Sequence, residues 1–377
     1  MLGETLKTIA IIAFLATYVL LLVFPNKRAH IAVVSAAVFI AAGIMPLDKV
    51  FVTINWNVLM MIAGTMGTVF LFIESKMPAL LGDIIIAKTP NVKWAIIALA
   101  LFSGFISAFI DNVATVLMVA PVALTISKKL DISPVASIIA ISISSNLQGA
   151  ATLVGDTTSI MLGGQAGLDF LDFFFYQGKV GIFWVVQAAA VVSTFVLLFV
   201  FRKYNQPIDT KNRTPVTGYF PTVLLVGTVV LLILVSFIPT AYKPETINGL
   251  ICVAMFLIGL VRNCIKDKST AVIKASLKEI DAFTLVLLAG LFLVVGGITE
   301  AGVVDDISRL FVRISGDNIF IVYTLIVWFS VLVSAIIDNI PYVATMLPVV
   351  AGIAGIPMFR QPFCTLGCFP ARLWAAI

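Results

Sequence analysis

Histidine occurs once in this chain of 377 residues, at His30. Cysteine occurs four times, at Cys252, Cys264, Cys364 and Cys368, without metal-ligand or disulfide spacing. Zinc chemistry and histidine-based acid–base catalysis are therefore poorly supplied. Charge is scarce too: charged residues make up 11% of the chain, against about 25% in soluble proteins. The net charge of +5 is not a nucleic-acid signal, because the basic residues sit in loops, where they set membrane orientation. What is abundant is apolar side chain, 61% of the residues, and that composition reads as a polytopic membrane protein. The first apolar run, Ile9–Phe24, follows Lys7 without a small-x-small cleavage site, so an uncleaved first helix is expected.

Runs long enough to span fall near 7–24, 29–47, 55–74, 178–201, 218–239, 246–262 and 282–299. Two further stretches carry a duplicated motif, SAFIDNVATVLMVAP at Ser107–Pro121 and SAIIDNIPYVATMLP at Ser334–Pro348, identical at seven of fifteen positions. Each holds an Asp-Asn pair, Asp111-Asn112 and Asp338-Asn339, in otherwise apolar sequence. A carboxylate at membrane depth costs roughly 2.5–3.5 kcal/mol on insertion scales, so its repetition points to a duplicated fold around an ion or substrate site. The two apolar arms around each pair, within 94–128 and 319–350, read as half-membrane arms of a re-entrant hairpin. Between the motifs, NLQGAATLVGDTTS (Asn146–Ser159) interrupts an apolar run with glycines and polar residues. Such backbone is tolerated at depth where it lines a cavity or is buried in protein.

The repeat is wider than the hairpins. INWNVLMMIAG (Ile54–Gly64) matches IDAFTLVLLAG (Ile280–Gly290), and Glu74 falls opposite Glu300, each before a short amphipathic stretch. The expected fold is all-α and polytopic, with two inverted-topology repeats, each holding a re-entrant hairpin and a broken transmembrane helix, the second incomplete. The boundaries read as a first repeat at 1–201, a cytoplasmic linker at 202–217, a second repeat at 218–358 and an aberrant tail at 359–377. Five crossings in the first half would invert the second. This topology places 16 Lys/Arg on one face and six on the other, which makes the linker cytoplasmic and puts the N-terminus outside.

Candidate ligands are Ser107, Asp111, Asn112, Thr115, Ser334, Asp338 and Asn339 at the hairpins, and Asn146, Gly149, Thr152, Gly155, Asp156 and Thr157 at the break. Asp111, Asn112, Asp338 and Asn339 offer hard oxygens for Na⁺ or a proton acceptor, while half-helix ends supply dipoles for either ion sign. Each aspartate can instead cap its helix, and the glycines can serve close packing. Glu74 and Glu300 read as interface anchors, Lys128-Lys129 as a cytoplasmic anchor, and Phe173–Tyr176 with Trp56 as an aromatic belt.

The run SAFIDNVATVLMVAP followed by SSNLQGAATLVGDTTSIMLGG resembles the ion transporter superfamily. The nearest branch joins arsenite permeases, NhaD-type sodium–proton antiporters and the melanosomal P protein, and citrate and divalent-anion symporters are more distant. The resemblance covers nearly all of residues 1–350 and implies two inverted repeats, often dimeric. The symporter branch carries Ser-Asn-Thr at its hairpin tips, where this chain has Asp-Asn. The usual Gly-Asp-Pro-Pro-Asn of this branch reads Gly155-Asp156-Thr157-Thr158-Ser159 here. The leading expectation is a secondary active transporter of an inorganic ion or small anion, arsenite-like or carboxylate, coupled to H⁺ or Na⁺, without cofactor or enzymatic activity. A Na⁺/H⁺ antiporter is the alternative. An intramembrane aspartyl protease expects Tyr-Asp and Gly-x-Gly-Asp settings, but both aspartates here lie in Ile-Asp-Asn. An inactive, shortened transporter is the remaining reading. It rests on the tail RQPFCTLGCFPARLWAAI from Arg360 onward, which loses membrane character, and on the second break that the repeat offset expects near residue 373 and the sequence does not carry. A frameshift would account for this: with permitted codons, Phe363–Ile377 read two bases onward can spell an ending like the second broken helix of the family.

Overall fold

The computed structural model describes residues 2–129, 132–207, 213–239, 242–267, 276, 278, 280–315 and 318–355. Its helices are α1 (Leu2–Val23), α2 (Arg28–Ala41), α3 (Val50–Thr53), α4 (Trp56–Glu74), α5 (Met77–Ala87), α6 (Val92–Ser107), α7 (Asn112–Lys129) and α8 (Val135–Gly149). They continue with α9 (Thr157–Ala166), α10 (Ile182–Val200), α11 (Phe220–Val235), α12 (Ile247–Asp267), α13 (Ala282–Glu300), α14 (Val303–Ser315), α15 (Ile319–Ser334) and α16 (Asn339–Gly355). A two-stranded antiparallel ribbon, β1 (Phe175–Tyr176) and β2 (Lys179–Val180), joins α9 to α10. The molecule is an all-α polytopic membrane protein. Five described helices, α1, α4, α10, α12 and α13, are long and apolar enough to cross a bilayer. On α10 the outward stripe of Val191, Val192, Phe195, Val196 and Phe199 is exposed; an apolar face of that length is suited to lipid. The aberrant tail and the expected second break lie outside the described residues.

The helix series α4, α5, α6, α7 recurs as α13, α14, α15, α16, each member starting 226 or 227 residues after its counterpart. Local chemistry recurs with it. Asn55 caps α4 by accepting from the Val58 N–H at 3.1 Å, and Asp281 caps α13 by accepting from the Thr284 N–H at 3.1 Å. The core pairings are crossed between the halves: α12 packs most extensively on α4, and α2 on α13. Glycine makes both crossings possible. A side chain at Gly64 would stand 2.6 Å from the Cys252 carbonyl oxygen of α12, and one at Gly290 would stand 2.8 Å from the Ala32 carbonyl carbon of α2. These are the aligned last residues of the repeated INWNVLMMIAG and IDAFTLVLLAG segments. The repeat is thus visible in what its glycines do.

Four further first-half helices form a second body of packing. α6 lies along α8, α7 closes on both, and α10 covers α8 and α6. The hairpin arms α6 and α7 have 16 and 18 residues, roughly 24 and 27 Å at 1.5 Å per residue. They exceed the half-membrane length expected from the sequence, and the helical run of α7 passes through Pro121. Pro121 leaves the carbonyl a turn earlier without its usual donor, yet its ring is accommodated within the run. The amphipathic stretches also differ from expectation. α14 sorts Asp305, Asp306, Arg309 and Arg313 against Val304, Ile307 and Phe311, whereas α5 is apolar on nearly every side. The aromatic cluster is corrected as well: Phe173 is fully buried and Phe174 stacks on Phe183 at 4.3 Å. Phe173 and Phe174 are therefore core and not a lipid-facing belt, while Phe175 at 61% and Trp56 at 38% stay exposed.

Candidate functional site

The helix interruption falls where the polar run placed it, with sharper limits. α8 runs through Asn146 and Gln148 to Gly149, residues 150–156 are non-helical, and α9 begins at Thr157. The break lies against the tip of the first hairpin. Asn112 donates its side-chain N–H to the Asn146 side-chain oxygen at 2.7 Å, and the Ser145 hydroxyl donates to the Asn112 carbonyl at 3.2 Å. The Thr152 hydroxyl donates to the Ala108 carbonyl, and Ser159 donates to the Gly149 carbonyl at 3.3 Å. Gly155 lets the two backbones meet: a side chain there would stand 2.8 Å from the Ser107 carbonyl oxygen and 2.9 Å from that of Ala108. The hydroxyls of Ser107 and Thr115, both fully buried, have no hydrogen-bond partner among the described residues. An orphaned buried hydroxyl carries a desolvation cost of about 1–3 kcal/mol.

Asp111 sits at the head of α7 and accepts from the N–H groups of Val113 (3.0 Å) and Ala114 (3.2 Å). It is therefore a cap, and it also faces a cavity of about 330 Å³. Asp156 and Thr157 line the same cavity, as do Asp281 and Thr284 from the start of α13 and Thr65 from α4. Asp156 accepts from the Thr158 hydroxyl at 3.0 Å, and Asp281 from the Thr284 hydroxyl at 2.5 Å. Asp111 lies within electrostatic reach of both other carboxylates. Among the described residues no lysine, arginine or histidine lines this cavity, and no three acidic, Cys or His side chains cluster closely enough to hold a metal ion. The arrangement can hold a proton, or a monovalent cation with help from hydroxyls and carbonyls.

The second hairpin is arranged differently. Asp338 pairs with Arg28 at the start of α2, and its other oxygen accepts from the Ile340 N–H at 3.4 Å. Ser334 donates to the Asn339 side-chain oxygen at 2.5 Å. Asn112 thus reaches across to the broken helix, while Asn339 turns back on its own hairpin. Asp338 and Asn339 do not line the acidic cavity, although Ile340 does. Asn112 faces the other side of α7, toward Ser142 and Asn146. The structure therefore joins Asp111, Asp156 and Thr157, and does not bring the four Asp-Asn residues to one point. Asp281 was missed by sequence reasoning. Its signal was present in the alignment of Asn55 with Asp281, where a neutral cap becomes an acid.

Helices suited to lipid, a helix broken at a hairpin tip and an acidic cavity walled by both halves define a membrane transport protein. The sequence pattern of the citrate transporter family matches residues 18–367, and the chain belongs to that family. An uncharacterized transporter of Mycobacterium tuberculosis is 30% identical over 367 residues, covering 95% of this chain and 83% of its own. A 46 kDa membrane protein of Mycobacterium leprae is 29% identical, covering 92% and 81%. The P protein of Sus scrofa is 24% identical, covering 95% of this chain and 52% of that protein. The chain is a secondary transporter of this family.

Proposed function

We propose that the chain moves an inorganic ion or a small anion across the cytoplasmic membrane, coupled to H⁺ or Na⁺ at Asp111. The observation that carries this reading is the cavity walled by Asp111, Asp156 and Asp281 without a described basic residue. Three carboxylates in one low-dielectric space favour taking up a cation, because each charge raises the cost of the others. For a proton, Asp111 is the acceptor. For Na⁺, the hydroxyls of Thr65 and Thr157, which line the same cavity, add hard oxygens to the carboxylates. The same cavity also supports the second reading, cation–proton antiport. The family description names citrate, which makes small carboxylates the first substrates to try.

Reconstitution in liposomes with a pH-sensitive dye tests the proposal. Citrate, succinate, arsenite and Na⁺ are supplied in turn, with and without a pH or Na⁺ gradient. Asp111→Asn is expected to insert normally and to lose gradient-driven flux about tenfold or more. Wild-type pH and Na⁺ dependence in that variant would assign Asp111 to capping alone. Flux of Na⁺ against H⁺ without any anion would select the antiport reading.

A further inference from the structure

A larger cavity, about 750 Å³, lies at the opposite end of α4 and α9 from the acidic one. α4 contributes Asn55, Trp56 and Asn57 to it, and contributes Ile62 through Ile73 to the acidic cavity. Its cation is Lys243, whose side chain is 9% exposed and pairs with Asp169, itself 19% exposed. Burying a lysine is costly unless its charge is answered, so an ammonium in a cavity wall invites a counter-ion. The neighbouring groups are donors. Asn55 and Asn57 each spend the side-chain oxygen on a backbone N–H, of Val58 at 3.1 Å and of Gly249 at 2.7 Å. Their amide NH₂ groups are what remains, and that of Asn55 lies over Gly164 in the cavity wall. Two helices, α4 and α12, begin at this cavity, and helix N-termini carry positive partial charge. The acids that line it are Asp169, held by Lys243, and the exposed Glu245 at the rim.

We infer that this second cavity binds a small anion bearing carboxylate or oxyanion groups, which takes the place of Asp169 on the Lys243 ammonium. The exchange is local. Asp169 sits in the connection after α9, behind Gly167 in a left-handed conformation, and its own N–H is held by Asp172 at 2.7 Å. An anion arriving at Lys243 replaces one carboxylate oxygen by another and releases the Asp169 side chain to water. The ligand then sits against the amide donors and the two helix starts, which Asp169 does not use. This site is separate from the acidic cavity and does not depend on Asp111 coupling a cation.

Binding to the purified full-length chain in detergent, at fixed Na⁺ and pH and without a gradient, tests this inference. Succinate and inorganic phosphate are titrated by calorimetry against chloride at constant ionic strength. Wild type is expected to bind at least one of them. Lys243→Gln should weaken binding about tenfold or more, the loss expected for a charge-assisted hydrogen bond. Asp169→Asn frees the ammonium and should tighten binding severalfold, while Lys243→Arg retains it. A merely structural ion pair would make Lys243→Gln and Asp169→Asn shift affinity in the same direction. That result, or no binding of either anion to wild type, overturns the site. Should Lys243→Gln fail to fold, Asp169→Asn tightening with Lys243→Arg retained still supports it, and Asp169→Asn weakening overturns it. Because no gradient is present, either outcome leaves the coupling role of Asp111 to be decided by flux.

Discussion

An aspartate at the head of a buried helix can cap the helix and bind an ion with the same carboxylate, because capping engages lone pairs and not the whole group. Asp111 does the first through Val113 and Ala114 and keeps a face toward the acidic cavity. Asp338 spends its charge on Arg28. Both side chains are partly exposed, 21% for Arg28 and 39% for Asp338, so screening holds the pair to about 1 kcal/mol or less. Arg28→Gln and Asp338→Asn are therefore each expected to lower thermal stability in detergent, and the double variant should recover about 1 kcal/mol of the summed loss. Strict additivity would show that the pair contributes nothing. A second residue-scale prediction concerns Asp172, in the connection between α9 and α10. Burial, reinforced by the nearby Asp169 carboxylate, pushes its carboxyl above the ordinary range, against the opposing pull of the Asp169 N–H and Lys243. The native state then holds the proton more tightly than the unfolded one. Stability should fall as pH rises from about 3.9, the ordinary value, through the raised one. Melting temperature against pH should show this fall in wild type, and Asp172→Asn should flatten it. The Asp-Asn pairs were legible as sequence because they are charged words in apolar text. Their unequal partners were not, since Arg28 and Asp338 are 310 residues apart and meet only through folding.

At the scale of the element, the sequence marks where helices stop more clearly than how they lean. The NLQGAATLVGD break was legible because glycine and polar groups cluster there, and the structure places the interruption at 150–156. The hairpin arms exceed the half-membrane length read from the sequence, since α6 and α7 stay helical over 16 and 18 residues. The crossings of α4 with α12 and of α13 with α2 were invisible to pattern reading: a glycine in an apolar helix does not announce which partner it admits. Those crossings make a clean prediction. Gly64→Ala places a methyl group under 3 Å from α12 backbone that cannot rotate away, so it should destabilise by about 1–3 kcal/mol. Gly82→Ala in α5 meets nothing nearer than a Val122 methyl at 3.7 Å, and should be neutral or gain up to about 1 kcal/mol of helix propensity. Unfolding of the two variants side by side separates close approach from a general dislike of helical substitution; equal effects would sink the packing argument.

For the whole molecule, the crossed pairings matter more than either half alone. Each half lends one helix to the core of the other, α2 to α13 and α12 to α4, so neither half retains its core if the other is removed. The acidic cavity follows the same rule, since Asp111 and Asp156 meet Asp281 only across that junction. The two cavities lie toward opposite ends of α4 and share α9. In a bilayer they would open toward opposite sides if the halves are inverted, as the 16-to-6 division of Lys and Arg expects. The connection after α10 belongs to the acidic-cavity end of α4: the Thr217 N–H donates to the carbonyl of Ser75, just past the end of α4. The connection before α12 carries Tyr242 and Lys243 to the other end. In a background with the four cysteines replaced by alanine, Asn205→Cys should react with an impermeant maleimide only in everted vesicles. Tyr242→Cys, at 83% exposure, should react only in intact cells. Labelling of both from the same side would place both cavities on one face of the membrane, and the inverted arrangement would fail with it.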